Sequence, residues 1–89
     1  MEFEFDVNKS ASNFDKHGIN FEEAKKIWDD PFRIEIPARS TDEERTMVIG
    51  MIKQEIWSGI ICQREKIIRI ISVRKARRNE REIYYSSGI

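Results

Sequence analysis

The stretch RIISVRKARRNEREIYY, residues 69–85, begins with the period of a strand and ends with the period of a helix, and that change decides the class of fold. Residues 67–73 are nearly all branched aliphatic on both parities, which predicts a central strand buried on both faces, interrupted only by Arg69 and Ser72. From Lys75 the spacing lengthens. Ala76, Glu80, Ile83 and Tyr84 fall along one helical side, and Arg74, Arg78, Arg81 and Tyr85 along another.

Working outward from this stretch, FRIEIP (residues 32–37), TMVIGMI (46–52) and EIWSGIIC (55–62) read as further strands, with ARSTDEER (38–45) as a polar connection. FEFDV near the start alternates as a short first strand, with Phe3 and Phe5 on one face. Asp6 or Asn8 can then cap a helix whose inward residues are Val7, Ala11 and Phe14, and Gly18 stands where a left-handed residue would end it after Lys16 and His17. Asn20 and Glu23 make a variant capping box, with Ile19 and Ala24 as a hydrophobic staple. The helix they open turns Phe21, Ala24, Ile27 and Trp28 inward and stops at Asp29, Asp30 and Pro31. The sum is an α+β fold: a small, mostly antiparallel sheet with two N-terminal helices and a C-terminal helix, in one domain spanning residues 1–89.

Composition agrees with a single domain. The chain has 89 residues, 39% hydrophobic and 36% charged, enough for one modest core. No apolar run approaches a membrane span, and the acidic start MEFEFD is unlike a secretory signal, so a cytoplasmic protein is expected. The lone Cys62 excludes an internal disulfide, and one Cys with one His argues against a metal site. Zero net charge hides a polarity. Residues 1–30 carry eight acidic and four basic side chains (−4), and residues 64–89 carry three and eight (+5). A basic third can hold a polyanion on a neutral protein. The structural alternative is that Arg77, Arg78 and Arg81 only solvate a helix face and pair with Glu80 and Glu82.

Arg69 is the most informative position. A guanidinium inside an apolar strand needs a carboxylate, a phosphate or water, because it cannot shed its charge. Simple alternation puts Arg69 on a face with Ile67, Ile71 and Val73, with Arg74 at the strand exit. A substrate phosphate and an ion pair with Glu55 or an N-terminal acid are both open.

KHGINFEEA with the following DDP, then RIISVRKA and the terminal NEREIYY, together resemble the BrnT family of toxins from bacterial type II toxin-antitoxin systems, over nearly the whole chain. The middle, Arg39 to Gln63, matches only in its strand-like pattern and in Ile49 and Gly50. The family often has Trp at Phe5 and Ala at Val73. It usually has glycine at Glu65, so the Gln63–Lys66 hairpin must here turn without one.

The resemblance implies a RelE-like fold, a metal-independent endoribonuclease without cofactors, and neutralisation by a BrnA-type antitoxin. It further implies a complex of two toxins and two antitoxins in which operator DNA is touched only by the antitoxin. In such an enzyme the ribose 2′-OH attacks the adjacent phosphorus, and fixed guanidiniums stabilise the charge that grows on the phosphoryl oxygens. Arg64, Arg69 and Arg74 are then the candidate phosphate clamp. His17 is a candidate acid or base, although at a helix C-terminus it serves equally as a structural cation. Lys16, Arg78 and Arg81 would contact flanking phosphates, Tyr84 or Tyr85 would stack a base, and Glu65 or Glu80 could accept a proton. Two other classes use the same basic end: a nucleic-acid-binding domain without catalysis, and a domain that docks an acidic partner.

Overall fold

The computed structural model of the chain describes residues 1–39 and 43–87. Its elements run β1 (Glu2–Glu4), α1 (Val7–His17), α2 (Phe21–Ala24) continuing as a 3₁₀ segment (Lys25–Asp29), β2 (Ile34–Ala38), β3 (Arg45–Ile52), β4 (Glu55–Arg64), β5 (Ile67–Lys75) and α3 (Arg78–Ser87). Among the described residues five strands form one mixed sheet in the order β1-β5-β4-β3-β2, antiparallel except where β1 lies parallel to β5. The α+β class and the strand assignments therefore stand. Of the polar connection ARSTDEER, residues 40–42 lie outside the described residues. No described helix is long and apolar enough to cross a membrane.

The helix boundaries follow their local chemistry. Asp6 is the N-cap of α1, its carboxylate accepting from the N–H groups of Asn8 (2.8 Å) and Lys9 (3.1 Å). Gly18, at φ 78°, closes α1 by donating its N–H to the Phe14 carbonyl, with Lys16 and His17 in the last turn. Both halves of the Asn20–Glu23 capping box form. The helix they open is shorter than expected: four α-helical residues tighten into the 3₁₀ segment. Its buried residues Phe21, Ala24 and Ile27 recur every three positions, which suits three residues per turn. Ile27 then seats against Gly50 of β3 so closely that a Cβ there would lie 2.7 Å from Ile27 Cγ2.

The sheet is covered on both sides, but unevenly. On the α1 side, Phe21, Ala24 and Ile27 pack on Val48, Trp57, Ile61, Ile68, Ile70 and Val73, with Phe3 of β1 and Phe5 just after it joining. Across the sheet, Ala76 and Tyr84 pack on Ile49 and Ile56, flanked by Ile34, Ile36, Met47 and Met51. This second cluster occupies only the β2–β3–β4 end. Ile67 and Ile71 of β5 are left half-buried, so β5 is not sealed on both faces as its sequence suggested.

Two features of β5 escape simple periodicity. Ile60 pairs with Ser72 but Ile61 pairs with Ile70, so Ile71 is an extra, bulged residue. The bulge reverses parity. Val73 joins Ile68 and Ile70 on the α1 side, whereas Ser72 and Arg74 join Arg69 on the other. Secondly, β1 ends at Glu4 opposite Arg69, which leaves the outer edge of β5 beyond that point without a strand. Asn13 of α1 fills the gap at Val73. Its Nδ2 donates to the carbonyls of Val73 (2.9 Å) and Ile19 (2.8 Å), and its Oδ1 accepts the Val73 N–H (3.2 Å). Beside it, Ser10 Oγ accepts the N–H of Phe21 at 2.9 Å.

This bonding overturns the expected orientation of α1. Ser10 and Asn13 face the sheet, while Val7 (76% exposed), Ala11 and Phe14 (51% exposed) face away. Facing the sheet, Asn13 and Ser10 satisfy backbone groups of Val73, Ile19 and Phe21 that would otherwise be buried without partners. Asn13→Ala should accordingly lower stability by about 2–4 kcal/mol, whereas Phe14→Ala should change it by less than ~0.5 kcal/mol. Urea denaturation of both variants checks this, and the expected order is the reverse of what the apolar spacing predicts.

Candidate nucleic-acid interface

Residues paired across neighbouring strands project to the same side of a sheet. Arg64 pairs with Ile67, Cys62 with Arg69, and Ser58 with Arg74, so the register places Arg64, Arg69 and Arg74 on one side. It is the half of the α3 side that α3 leaves open. Without the bulge at Ile71, Arg74 would project to the opposite side from Arg69. The hairpin between β4 and β5 keeps its turn because Glu65 itself adopts φ 53°, so the missing glycine does not rotate Arg64 away. Arg45, at the start of β3 opposite Ala38, projects to this side as well.

Each arginine of the row holds a carboxylate, but the pairs differ in kind. Arg64 meets Glu43 at 3.1 Å and Arg69 meets Glu4 at 3.5 Å, all four side chains at least a third exposed. Such surface pairs are weak, because solvent screens them, and exchange readily. The Arg64 guanidinium nonetheless holds the Glu43 carboxyl below its usual range. The partner of Arg69 is thus an N-terminal acid, next to it in the β1–β5 register, and Glu55 pairs instead with Lys75 at 3.5 Å.

Arg74 is held differently. It grips Glu80 with two parallel bonds, Nη1 to Oε1 at 2.8 Å and Nη2 to Oε2 at 2.9 Å. Glu80 is buried and also accepts from the Ser58 hydroxyl and the Arg77 N–H, both at 2.8 Å. The second of these bonds is the return half of a capping box at the start of α3. Four donors around one carboxylate outweigh its burial. The Arg74 bonds, aided by the Arg77 N–H and Ser58, lower the Glu80 pKa to about 2. Glu80 is therefore ionised at neutral pH and unsuited to accept a proton, which removes it from the candidate bases.

The remaining predicted residues separate. His17 and Lys16 are exposed at the end of α1, which packs on the other side of the sheet, so the fold does not bring them to the arginine row. Arg78 is exposed and pairs with Glu82 at 3.3 Å, as the helix-face alternative anticipated. Arg81 donates from Nη1 to the Ala76 carbonyl at 2.7 Å.

The two tyrosines have different positions. Tyr84 is buried and its hydroxyl donates to Asp30 at 2.6 Å, which closes its ring to a stacking base and leaves Tyr85, 60% exposed, as the open one. Burial and the Asp30 bond push the Tyr84 hydroxyl up to about 12. Asp30 also accepts from the N–H groups of Met51 (2.8 Å) and Phe32 (2.9 Å), and although burial opposes it, these bonds and Tyr84 keep its carboxyl below the usual range. Asp30 is thus more than a helix exit: it ties the 3₁₀ segment to β3 and α3.

Three cations outside the row were not singled out from the sequence: Arg45 on this face, Lys53 in the β3–β4 turn, and Lys75, which pairs with Trp57 and so projects toward the other face at the end of β5. Lys53 lies in the β3–β4 turn at φ 58°, where glycine or asparagine is the usual occupant. A lysine at that place in a two-residue turn was the available signal.

A family model described as ribonuclease toxin, BrnT, of type II toxin-antitoxin system matches residues 5–80. Comparison with curated proteins gives no match.

The Glu80 node predicts an acid limb of the stability curve. Its folded pKa, about 2, lies below the ordinary value of 4.5, so its contribution is complete above pH 4.5 and is lost as pH falls toward 2. The loss should reach about 2–3 kcal/mol. Glu80→Gln should remove that limb and lower neutral-pH stability by about 3 kcal/mol, since Arg74 is left without its carboxylate. Chemical denaturation across this pH range, followed by circular dichroism, measures both.

Proposed function

Because the chain belongs to the BrnT family of type II toxin-antitoxin ribonuclease toxins, we propose that it is a RelE-like endoribonuclease that cuts RNA without a metal ion. Membership implies an RNA target and an antitoxin partner. The row of Arg64, Arg69 and Arg74 on an open sheet face is the observation that carries the reading. The scissile phosphate sits on Arg64 and Arg69, whose exposed carboxylates Glu43 and Glu4 give way to it. Arg74, already committed to Glu80, fixes the end of the row. The 2′-OH attacks the adjacent phosphorus, the 5′-oxygen leaves, and a 2′,3′-cyclic phosphate results. The guanidiniums stabilise the charge on the phosphoryl oxygens from fixed positions. Glu4 and Glu43, displaced but still beside the row, are the nearest acceptors for the 2′-OH proton. Arg78, Arg81 and Tyr85 of α3 serve flanking nucleotides. His17 and Lys16, across the sheet, take no part in the chemistry.

The partner in this reading is a BrnA-type antitoxin in a complex of two toxins and two antitoxins, with operator DNA touched only by the antitoxin and the whole acting in the cytoplasm. The native pairing of these arginines with carboxylates also supports a second reading, in which the face only docks an acidic segment of a partner.

Expression of the chain alone should arrest bacterial growth and translation, and co-expression of its antitoxin should restore them. In purified protein, Arg64→Lys and Arg69→Lys keep the charge but lose the planar fork. Each should slow single-turnover RNA cleavage by about 10–100-fold while RNA affinity changes by less than about threefold. Arg78→Gln should do the opposite, lowering affinity and the salt dependence of binding by about one phosphate contact. Folded Arg64→Lys and Arg69→Lys proteins that cleave at the wild-type rate would leave the face as a docking surface.

A further inference from the structure

Beyond the arginine row, where β5 ends, an open groove of about 810 Å³ runs between the β3–β4 turn and α3. Its walls supply Lys53 from the turn, Lys75 from the end of β5, and Arg81 and Tyr85 from α3, over a floor of Ile56 and Ala76. Three cations face one carboxylate, Glu55, whose pair with Lys75 is 3.5 Å long and more than half exposed on both sides. That pair is as exchangeable as those of Arg64 and Arg69.

The parts of the groove are fixed in distinct ways. The bond from Arg81 to the Ala76 carbonyl holds that guanidinium at the wall. Tyr85 is 60% exposed, yet its ring is braced edge-on by Tyr84 at 5.4 Å between centroids, and Tyr84 is pinned by Asp30. A large aromatic ring braced on one edge and open to water, with three cations lining the same groove, has the two elements that single-stranded nucleic acid binding requires: a stacking platform and a phosphate track. A duplex offers no unstacked base to such a platform. An acidic peptide would use the cations and leave the ring face without a matching group.

We propose that this groove is a subsite for an unpaired nucleotide of the RNA substrate, its base stacked on Tyr85 and its flanking phosphates held by Lys53, Lys75 and Arg81. The inference rests on the ribonuclease reading and deepens it by adding a stacking subsite on the groove at the end of β5, apart from the arginine row. Lys75 follows Arg69 by six residues on β5, about 18–20 Å along an extended strand. The subsite is therefore remote from the cleavage point and acts on binding, and only RNA long enough to reach both places benefits from it.

The test uses a 2′-O-methyl RNA single strand of about 12 nucleotides, which 2′-OH attack cannot cleave, carrying 2-aminopurine as a stacking reporter, and a duplex of equal length. Wild-type protein should bind the single strand more tightly than the duplex and quench the reporter. Tyr85→Leu should weaken single-strand binding by about 5–100-fold, abolish the quench and leave duplex binding unchanged. Lys53→Gln combined with Lys75→Gln should reduce the salt slope by about 1–2. With cleavable RNA, Tyr85→Leu should raise KM for the long strand more than it changes kcat. Wild-type affinity in Tyr85→Leu, or equal sensitivity of strand and duplex to that change, overturns the subsite even if cleavage proceeds. Loss of antitoxin binding with RNA affinity intact makes the groove a protein-docking surface instead. Wild-type protein that binds no RNA at all overturns both the subsite and the ribonuclease reading.

Discussion

The carboxylate of Glu80 is the point on which the α3 side of the molecule depends. It alone joins β4 through Ser58, β5 through Arg74 and the first turn of α3 through the Arg77 N–H. Without it, α3 would be held by the packing of Tyr84, its bond to Asp30 and the bond from Arg81 to Ala76, and Arg74 would be a half-buried cation lacking its carboxylate. A buried ion pair of this kind adds little net stability against an apolar replacement. Its value lies in geometry, because it sets the angle at which α3 leaves β5 and with it the placement of Arg81 and Tyr85.

Sheet irregularity governs the other half of the site. An unbroken β5 would divide its basic residues between two faces, and the bulged Ile71 puts Arg69 and Arg74 on one. The same strand is paired with β1 over only three positions, so its outer edge beyond Arg69 needs another partner, which Asn13 provides at Val73. A helix bound through an amide to a strand backbone behaves as a continuation of the sheet. That explains how α1 can present its polar residues inward and leave Val7 and Phe14 in water.

What could be read from the sequence was local. The Asp6 cap, the left-handed Gly18, the Asn20–Glu23 box and the strand cores depend on neighbours within a few residues and appear where the spacing puts them. What could not be read depended on distant partners. The inward face of α1 is set by backbone atoms 60 residues away, from Asn13 to Val73. Tyr84 is buried by a bond spanning 54 residues to Asp30, a contact neither flanking sequence announces. The row of arginines was legible as a cluster of charge, but its shared face was not, since a bulge leaves no periodic trace. His17 suited a structural cation at a helix end as well as acid–base chemistry, and its residue type says nothing about which side of a sheet its helix will cover.

The polarity of charge along the chain acquires a physical meaning in the fold. The acidic start supplies β1, and β1 lies parallel to the most basic strand with Glu4 directly opposite Arg69. Asp6, just beyond, also feels the Arg69 charge, after the N–H groups it caps. Negative charge is thus laid along one flank of the arginine row. At the opposite end, past Arg74, the groove of Lys53, Lys75 and Arg81 has Glu55 alone to temper it. A polyanion approaching this surface meets a field that is nearly neutral at the β1 flank and positive at the α3 end. In the proposed reading, approach from the α3 end costs least, and the exchange of Glu4 and Glu43 for phosphate would follow once the RNA is held there. Zero net charge with so uneven a distribution weakens long-range attraction of polyanions while keeping the positive field local to the α3 end, which is the property the proposed reading requires.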